Sequence, residues 1–497
     1  MSRNRIILVT IGIMLSLFLA SMESTVVATA MPTIVGQLGG LEHYSWVFSA
    51  FMLASTTTVP LYGKLSDLYG RRNIYLAAMA LFLVGSILCG QAQNMTQLIF
   101  ARSVQGIGAG GIAPLAFILI GEMFTLEQRA KMQGFFSGVW GVSSIAGPLL
   151  GGFIVDQLSW HWVFFVNIIP GLLAAGLVSF AWIDQPRNHA RPAIDYAGAA
   201  LLTSSIVILL VGLMDLGTAF SWLLIGIAVV LFVLLLWVES RASDPILPIS
   251  LFRQDRLFAT TIAHGIFSGW ALFGTISYIP LFVQSVIGTS ATQAGLTITP
   301  LLLGWVMASI IGTRLLLRTG YYKLAITGTS LLFVGAVLLA TVNMNTSQTL
   351  LMIYITIMGI GMGLAIPSFL IAVQTTVERR QLGTATSTIQ FSRSIGGTLG
   401  VSAMGAALGM RLASNLSASG LDPKLVSQLL DPVPGAEAVM DSNLRFAVAD
   451  AISIVFIIAL AAAALALVTV LFFTPRIQLA DKSSSTAEDA PAPMIAD

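Results

Sequence analysis

Three charged side chains lie in stretches that are otherwise apolar or small, and their chemistry needs a reason. Glu23 stands in LFLASMESTVVATAMP (17–32), Arg102 opens RSVQGIGAGG (102–111), and Arg393 stands in FSRSIGG (391–397). His264 is a fourth titratable group in similar surroundings. A charge at the centre of a membrane helix costs roughly 2.5–3.5 kcal/mol on insertion scales, so such residues tend to mark proton or ion pathways. Removal from water disfavours an ionised carboxylate, and a nearby guanidinium favours it again. A carboxylate caught in that competition can take a proton in one arrangement and release it in another. Glu23 is therefore expected to be a proton-coupling group, with Arg102 its partner. A structural Glu–Arg pair, or side chains reaching for the outer headgroups, are the competing readings. For His264 hydrogen-bonded packing is expected, and Arg393 is expected to meet substrate or another helix.

The elements that carry these residues follow from composition. The chain has 497 residues, 56% hydrophobic and 9% charged, where a soluble protein carries about 25% charged residues. Most of its length therefore belongs in a membrane. A net charge of +2 is too small to imply nucleic acid as a partner. The single cysteine, Cys89, forms no internal disulfide and no paired-cysteine metal site. A crossing helix needs roughly 20 apolar residues. Candidate spans lie near 6–28, 44–63, 73–93, 97–120, 130–155, 161–183, 193–214, 220–238, 257–283, 292–313, 322–342, 348–374, 383–410 and 446–474. Alternating these fourteen from a cytoplasmic N-terminus leaves 19 of the 24 Lys and Arg residues on the cytoplasmic side. Only Arg411, Lys424 and Arg445 fall outside, beside one loop near 411–445. This is the bias of the positive-inside rule, and it puts both termini in the cytoplasm. Arg3 and Arg5 ahead of an apolar run resemble a signal peptide, and Ala28-Thr29-Ala30 matches a cleavage site. The run is longer than a signal core of about 7–15 residues, so an uncleaved first span is expected. The stretch from Asp481 to Asp497 is rich in Ser, Ala, Pro and acid, a composition that cannot bury a core. Within the external loop, DPKLVSQLL reads as a short surface helix.

Several short motifs accompany the spans. GKLSDLYGRR (63–72) links spans two and three. Its charges Asp67, Arg71 and Arg72 form either a solvated cluster or a gate latch, in which Asp67 meets an arginine or a helix N-terminus in one conformation. Gly63 and Gly70 are expected to allow a tight turn there. GVSSIAGPLLGG (141–152) ends span five. Gly147 and Gly151 form a small-xxx-small contact, and Pro148 removes a backbone hydrogen bond, so a close and bendable helix contact is expected. GIGAGG (106–111) fits G-x-G-x-x-G, but no strand precedes it and it lies in an apolar span, so nucleotide binding is excluded in favour of helix packing. No phosphate-binding G-x-x-x-x-G-K-[ST] run occurs, and no metal cluster or nucleophile–base set is visible. Trp140, Trp270, Phe273, Tyr278, Tyr354 and Phe391 are candidates for an aromatic substrate wall.

The chain also repeats itself. GIGAGGIAP (106–114) returns as GIGMGLAIP (359–367) at an offset of 253. GKLSDLYGRR resembles TRLLLRTGYY (313–322) at 250, and EQR (127–129) echoes ERR (378–380) at 251. Two homologous halves of six spans are expected, with the spans near 193–214 and 220–238 between them. Repeats that hold substrate at their interface are a common build of secondary transporters. The copies differ in charge: Arg102 aligns with Ile355 and Asp67 with Leu317, and no acid in span nine answers Glu23. The expected divisions are an N-terminal six-helix bundle (1–186), two extra helices with linkers (187–256), a C-terminal six-helix bundle (257–480) and a disordered cytoplasmic tail (481–497).

Over residues 6–475 these motifs resemble the major facilitator superfamily, and in particular its fourteen-span drug:proton antiporters. GKLSDLYGRR is similar to the superfamily's loop 2–3 motif, RSVQGIGAGG to a span-four motif whose arginine is associated with proton transfer, and GVSSIAGPLLGG to the antiporter motif of span five. MESTVVATAMP is similar to a first-span motif usually written with aspartate, with Glu23 in its place, and DPILPISLF (244–252) looks like the linker after span eight. The resemblance implies an all-α membrane protein of two six-helix bundles rocking around a central cavity, plus two helices, in a bacterial cytoplasmic membrane. It also supplies the adjacency of spans one and four, and hence of Glu23 and Arg102. By that resemblance the chain exports lipophilic or cationic drugs as a monomer in exchange for protons, with no cofactor beyond the proton gradient. Two alternatives stay open: a dedicated exporter of one amphiphile such as a lipid, siderophore or antibiotic, and a non-transporting membrane scaffold or sensor.

Overall fold

The computed structural model describes residues 2–38, 44–183, 195–214, 219–242, 249–289, 291–378, 381–419 and 442–476. The secondary structure described is helical throughout. In chain order the helices are α1 (Arg3–Leu38), α2 (Tyr44–Tyr69), α3 (Arg71–Gly90), α4 (Met95–Met123), α5 (Leu126–Gln157), α6 (Trp162–Phe165) and α7 (Ile168–Ala181). There follow α8 (Tyr196–Met214), α9 (Ala219–Glu239), α10 (Ile249–Gln254), α11 (Arg256–Phe282), α12 (Ala291–Thr319), α13 (Tyr321–Ala340), α14 (Gln348–Thr376), α15 (Leu382–Ser419) and α16 (Ser442–Phe473). Each of the fourteen candidate spans coincides with one helix, or with the broken pair α6–α7.

Among the described residues, ten of these segments are long and apolar enough to cross a membrane. The other four fall on α2, α5, α8 and α15. Two have a compositional reason: α2 carries Thr56-Thr57-Thr58, Lys64 and Asp67, and α15 is dense in Ser, Thr and Gly. α2, α5 and α15 are also the helices that pack across the seam between the two halves, α2 on α15 and α5 on α12. Polarity there faces protein, and lipid does not penalise it.

The halves are built alike. α4 packs between α2 and α3, and α14 packs between α12 and α13; α1 packs on α5 and α7, and α11 on α15 and α16. The glycines enforce the match. Gly108 approaches the backbone of Ala78 and Phe82, and its counterpart in the repeat, Gly361, approaches that of Gly328 and Leu332. Gly106 faces Phe51 and its counterpart Gly359 faces Leu301. α2 and α3 thus repeat at the shorter of the motif offsets and α4 at the longer, as the paired motifs require. Helix backbones this close leave no room for a Cβ. α8 and α9 pair with each other, and α8 rests on both α2 and α15, where Leu53, Leu202, Ile206, Leu235 and Ile395 form a small core.

One end of the molecule is knit together across the halves. There the apolar core is continuous, with Leu17, Tyr75, Phe117, Leu257, Tyr321, Phe369 and Ile389 in a single cluster. Towards the other end each half has its own: Met22, Val26, Leu98, Trp160 and Phe164 in the first, Phe282, Leu351, Ile452 and Phe456 in the second. The shared end carries the α2–α3 and α4–α5 turns, Arg71, Arg72 and Arg129. It also holds the start of α11 and the close of α16, where Thr260 donates to the Phe473 carbonyl at 3.0 Å.

Two expectations need correction. Gly63 lies inside α2 and forms no turn; its missing side chain admits Ser387 of α15 instead. The turn rests on Gly70, whose φ of 104° disfavours any side chain, and its repeat partner Gly320 has φ 77°. The connection between α15 and α16 is also shorter than the expected loop near 411–445, because α15 runs on to Ser419 and Arg411 pairs with Asp450 of α16 at 2.8 Å. DPKLVSQLL, Lys424, Arg187, Arg191, Arg379, Arg380, residues 244–248 of the linker motif and the 481–497 segment lie outside the described residues.

Candidate functional site

α1 and α4 bring Glu23 and Arg102 together. An Arg102 Nη1 donates to Glu23 Oε1 at 2.7 Å, and both side chains are 1% exposed. Asn167, at the break between α6 and α7, donates to Glu23 Oε2 at 2.7 Å. Arg102 also donates to Gln105 Oε1 at 2.7 Å and to the Val47 carbonyl at 3.2 Å, and its guanidinium lies 4.1 Å over the Phe51 ring. Gln105 in turn donates to Ser86 Oγ at 2.8 Å, and the Cys89 thiol approaches Gln105 Oε1 at 3.7 Å. Every charge in this network has an opposite charge and a hydrogen-bond partner, which is what lets it persist without water. It is enclosed by the N-terminal half. Their charge in apolar runs singled out Glu23 and Arg102 in the sequence, and the resemblance supplied their adjacency; neither pointed to Asn167, Gln105 or Ser86. Gln105 had one available signal, its position one turn beyond Arg102 on α4.

Among the described residues the second half has no such pair. Gly147 of α5 abuts Met22 and Thr25 of α1, and its counterpart in the repeat, Gly400, abuts Trp270 of α11. Trp270 therefore takes the place that Met22 and Thr25 take in the first half, and among the described residues its indole N–H is buried without a hydrogen-bond partner. Gly151 is buried in the same uninterrupted α5. That helix also holds Pro148, whose side chain lies outside the described residues.

At the knit end Asp67 receives three contacts. It pairs with Arg71, accepts from Thr384 Oγ1 at 3.0 Å, and lies 2.8 Å from where a Cβ on Gly383 would be. Thr384 and Gly383 are in the first turn of α15, whose free N–H groups favour an anion. Arg71 also donates to Glu122 at 2.9 Å and to Ser66 at 2.6 Å. Arg72 turns away from this group and donates to Ser179 of α7 at 3.1 Å. Arg129 reaches the Phe124 and Gly121 carbonyls at the end of α4, and the Gln374 carbonyl across the seam at 3.4 Å. The structure thus joins Asp67 to Arg71 and to the second half, and separates Arg72 from both.

Within the second half, where α11, α14 and α15 meet, His264, Phe369 and Arg393 line a cavity of about 20 Å³ together with Thr261, Ser268 and Ile389, room for about one water molecule. The Thr329 hydroxyl gives its proton to the Ala325 carbonyl at 2.8 Å, so it must accept from His264 Nε2 at 3.0 Å. The imidazole lies 4.8 Å from Phe369 between ring centroids. The aromatic candidates divide. Trp270, Phe273 and Tyr278 fill the seam between α11 and α15 against Gly400, Gly397 and Gly405, and Tyr278 donates to the Val401 carbonyl at 2.7 Å. Tyr354 packs in the second half's own core, Phe391 joins the cluster under α8, and Trp140 is 41% exposed on α5. In the register that matches Gly147 to Gly400, Trp140 aligns with Arg393. Among the described residues no three His, Cys, Asp or Glu side chains gather where they could hold a metal.

The Major Facilitator Superfamily profile matches residues 13–401. The multidrug transporter protein MdtP of Bacillus subtilis is 39% identical over 449 residues, covering 89% of this chain and 81% of its own. Multidrug resistance protein 3 of the same organism is 36% identical over 484 residues, covering 93% and 94%. The efflux pump dotC of Dothistroma septosporum is 32% identical over 405 residues, covering 79% and 69%. Among solved structures, the proton:xylose symporter XylE superposes with a TM-score of 0.66 at 13% identity, over 96% of this chain and 97% of that one. The human organic anion transporter MFSD10 gives 0.63 at 14%, over 93% and 100%.

Proposed function

The chain belongs to the major facilitator superfamily, a family of multi-pass membrane transporters and not of enzymes, and from that premise we propose that it is a proton-coupled drug exporter of the fourteen-span antiporter group. The single observation that carries the proton coupling is the sealed Glu23–Arg102–Asn167 network in α1, α4 and α6–α7. A carboxylate held by one guanidinium and one amide can exchange that guanidinium for a proton when the helices move apart. The bacterial multidrug relatives support the substrate class and a bacterial cytoplasmic membrane as its setting. The clustering of Lys and Arg at the knit end supports reading that end as the cytoplasmic one, with both termini there. In this reading protons from outside load Glu23, substrate leaves, the halves tilt inward, the proton passes to the cytoplasm and substrate rebinds. No cofactor, metal or second subunit takes part; the proton gradient is the driving force.

The test is efflux from proteoliposomes under an imposed pH gradient. Glu23→Gln, correctly inserted, is expected to abolish the proton-driven component while leaving substrate binding measurable. Unchanged gradient-driven export in that variant refutes the assignment of Glu23.

A further inference from the structure

Arg393 is left out of the proton-coupling network. It stands ten residues after Gly383 on α15, about 15 Å along the helix, which is half the hydrocarbon thickness of about 30 Å. Among the described residues it makes no hydrogen bond and no ion pair, and no charged group acts on it. Glu23 is the other half's buried carboxylate, and Arg102 and Asn167 already occupy both its oxygens. Among the described residues the charged groups at mid-membrane depth therefore add up to one uncompensated positive charge, and it borders the cavity that α11, α14 and α15 form in the second half.

The neighbours of Arg393 sharpen what could answer that charge. The Thr261 hydroxyl donates to the Leu257 carbonyl at 2.7 Å, and Ser268 donates to the Gly265 carbonyl at 3.5 Å. The His264 Nε2 proton goes to Thr329. Free donors into the cavity thus come from the guanidinium, whose planar fork matches a carboxylate or sulfonate. The space beside it holds about one ligand oxygen, and Phe369 and Ile389 offer apolar wall. We propose that Arg393 is the residue that recognises an anionic substrate, at the cavity of the second half, and that the preferred cargo is a monoanionic amphiphile bearing one carboxylate or sulfonate. This rests on the export reading above and departs from its cationic-drug variant, because a lipophilic cation would meet only a like charge here. The charge balance of the cycle changes accordingly. A proton entering for each monoanion leaving moves two positive charges inward, so an inside-negative potential accelerates export. A monovalent cation exchanged one-for-one with a proton moves no net charge.

The experiment uses the full chain in proteoliposomes under an imposed pH gradient, with three fluorescent probes: 1-anilinonaphthalene-8-sulfonate, its uncharged analogue N-phenyl-1-naphthylamine, and ethidium. Wild type is expected to export the sulfonate, and to do so faster when a potassium–valinomycin potential makes the export side positive. Arg393→Gln is expected to lower the ratio of sulfonate to neutral-probe efflux about tenfold. A fall of less than threefold, or sulfonate efflux indifferent to potential, overturns the proposal. Arg393→Lys keeps the charge and loses the fork, so it is expected to lower the ratio about threefold; it carries the test if the Gln variant does not insert, and an unchanged ratio then overturns the proposal. Export of the neutral probe or ethidium without the sulfonate sinks the anion inference alone. Export of none of the three sinks the exporter reading itself.

Discussion

At the scale of single residues, the buried pair and its surroundings make a quantitative prediction. Glu23→Gln leaves Arg102, a group that cannot give up its charge, sealed without a counter-ion. Breaking a buried pair on one side costs roughly 3–5 kcal/mol, whereas replacing both partners by neutral groups is often close to neutral. Thermal unfolding of the purified protein should therefore show Glu23→Gln to be less stable than Glu23→Gln/Arg102→Leu. Additive losses in that double-mutant cycle would mean the two side chains are not energetically coupled. The pair was legible in the sequence because charge is conspicuous in an apolar run, and because the family resemblance made spans one and four neighbours. Asn167, Gln105 and Ser86 were not legible, since neutral polar side chains are common in such spans and show their role only once a partner is seen. Trp270, Phe273 and Tyr278 illustrate the converse. Large aromatics at mid-span suggested a cavity wall, but Gly397, Gly400 and Gly405 on the facing helix receive them as knobs in a tightly packed seam.

Helix against helix, the decisive contact is α2 on α15. Gly63 admits Ser387, and one turn further on, at the same end of α2, Asp67 meets the first turn of α15. Asp67→Ala removes the Thr384 hydrogen bond and the Arg71 pair together. A hydrogen bond to a charged group is worth about 1.5–3 kcal/mol, enough to change a two-state ratio by ten-fold or more. A cysteine at Ser387, in a Cys89→Ser background, should accordingly react at least several-fold faster with a membrane-impermeant thiol reagent from the α2–α3 side once Asp67 is Ala. Equal rates would show that the contact does not hold the halves together. The sequence singled out Asp67 and the possibility of a helix N-terminus as its partner. It could not identify α15 as that helix, because the pairing joins residues 317 positions apart and no local pattern encodes it. It also misjudged Gly63, since a glycine that permits close approach and a glycine that permits a turn look alike until backbone angles are known.

For the molecule as a whole, the internal repeat and the shared core at one end define what must move. The repeated motifs predicted two like halves, and the matching glycine contacts of α4 and α14 realise them. What repetition could not convey is asymmetry of state: at the basic end the two halves share one apolar cluster, while towards the other end each keeps its own. If transport proceeds by alternating access, that basic end must come apart in every cycle. Gly121 at the end of α4 faces Leu382 at the start of α15, with 3.7 Å from an ideal Cβ on the first to Cγ of the second. Cysteines at these two positions therefore lie close to the Cβ separations that a disulfide tolerates. In a Cys89→Ser background, oxidising Gly121→Cys/Leu382→Cys is expected to stop efflux and reduction to restore it, while either single cysteine responds to neither treatment. Closing one bond at an end far from Glu23 stops transport only if the halves rock as bodies. Undiminished efflux through a fully cross-linked protein would require a path that never opens the basic end, and would leave the Asp67 contact without a role in gating.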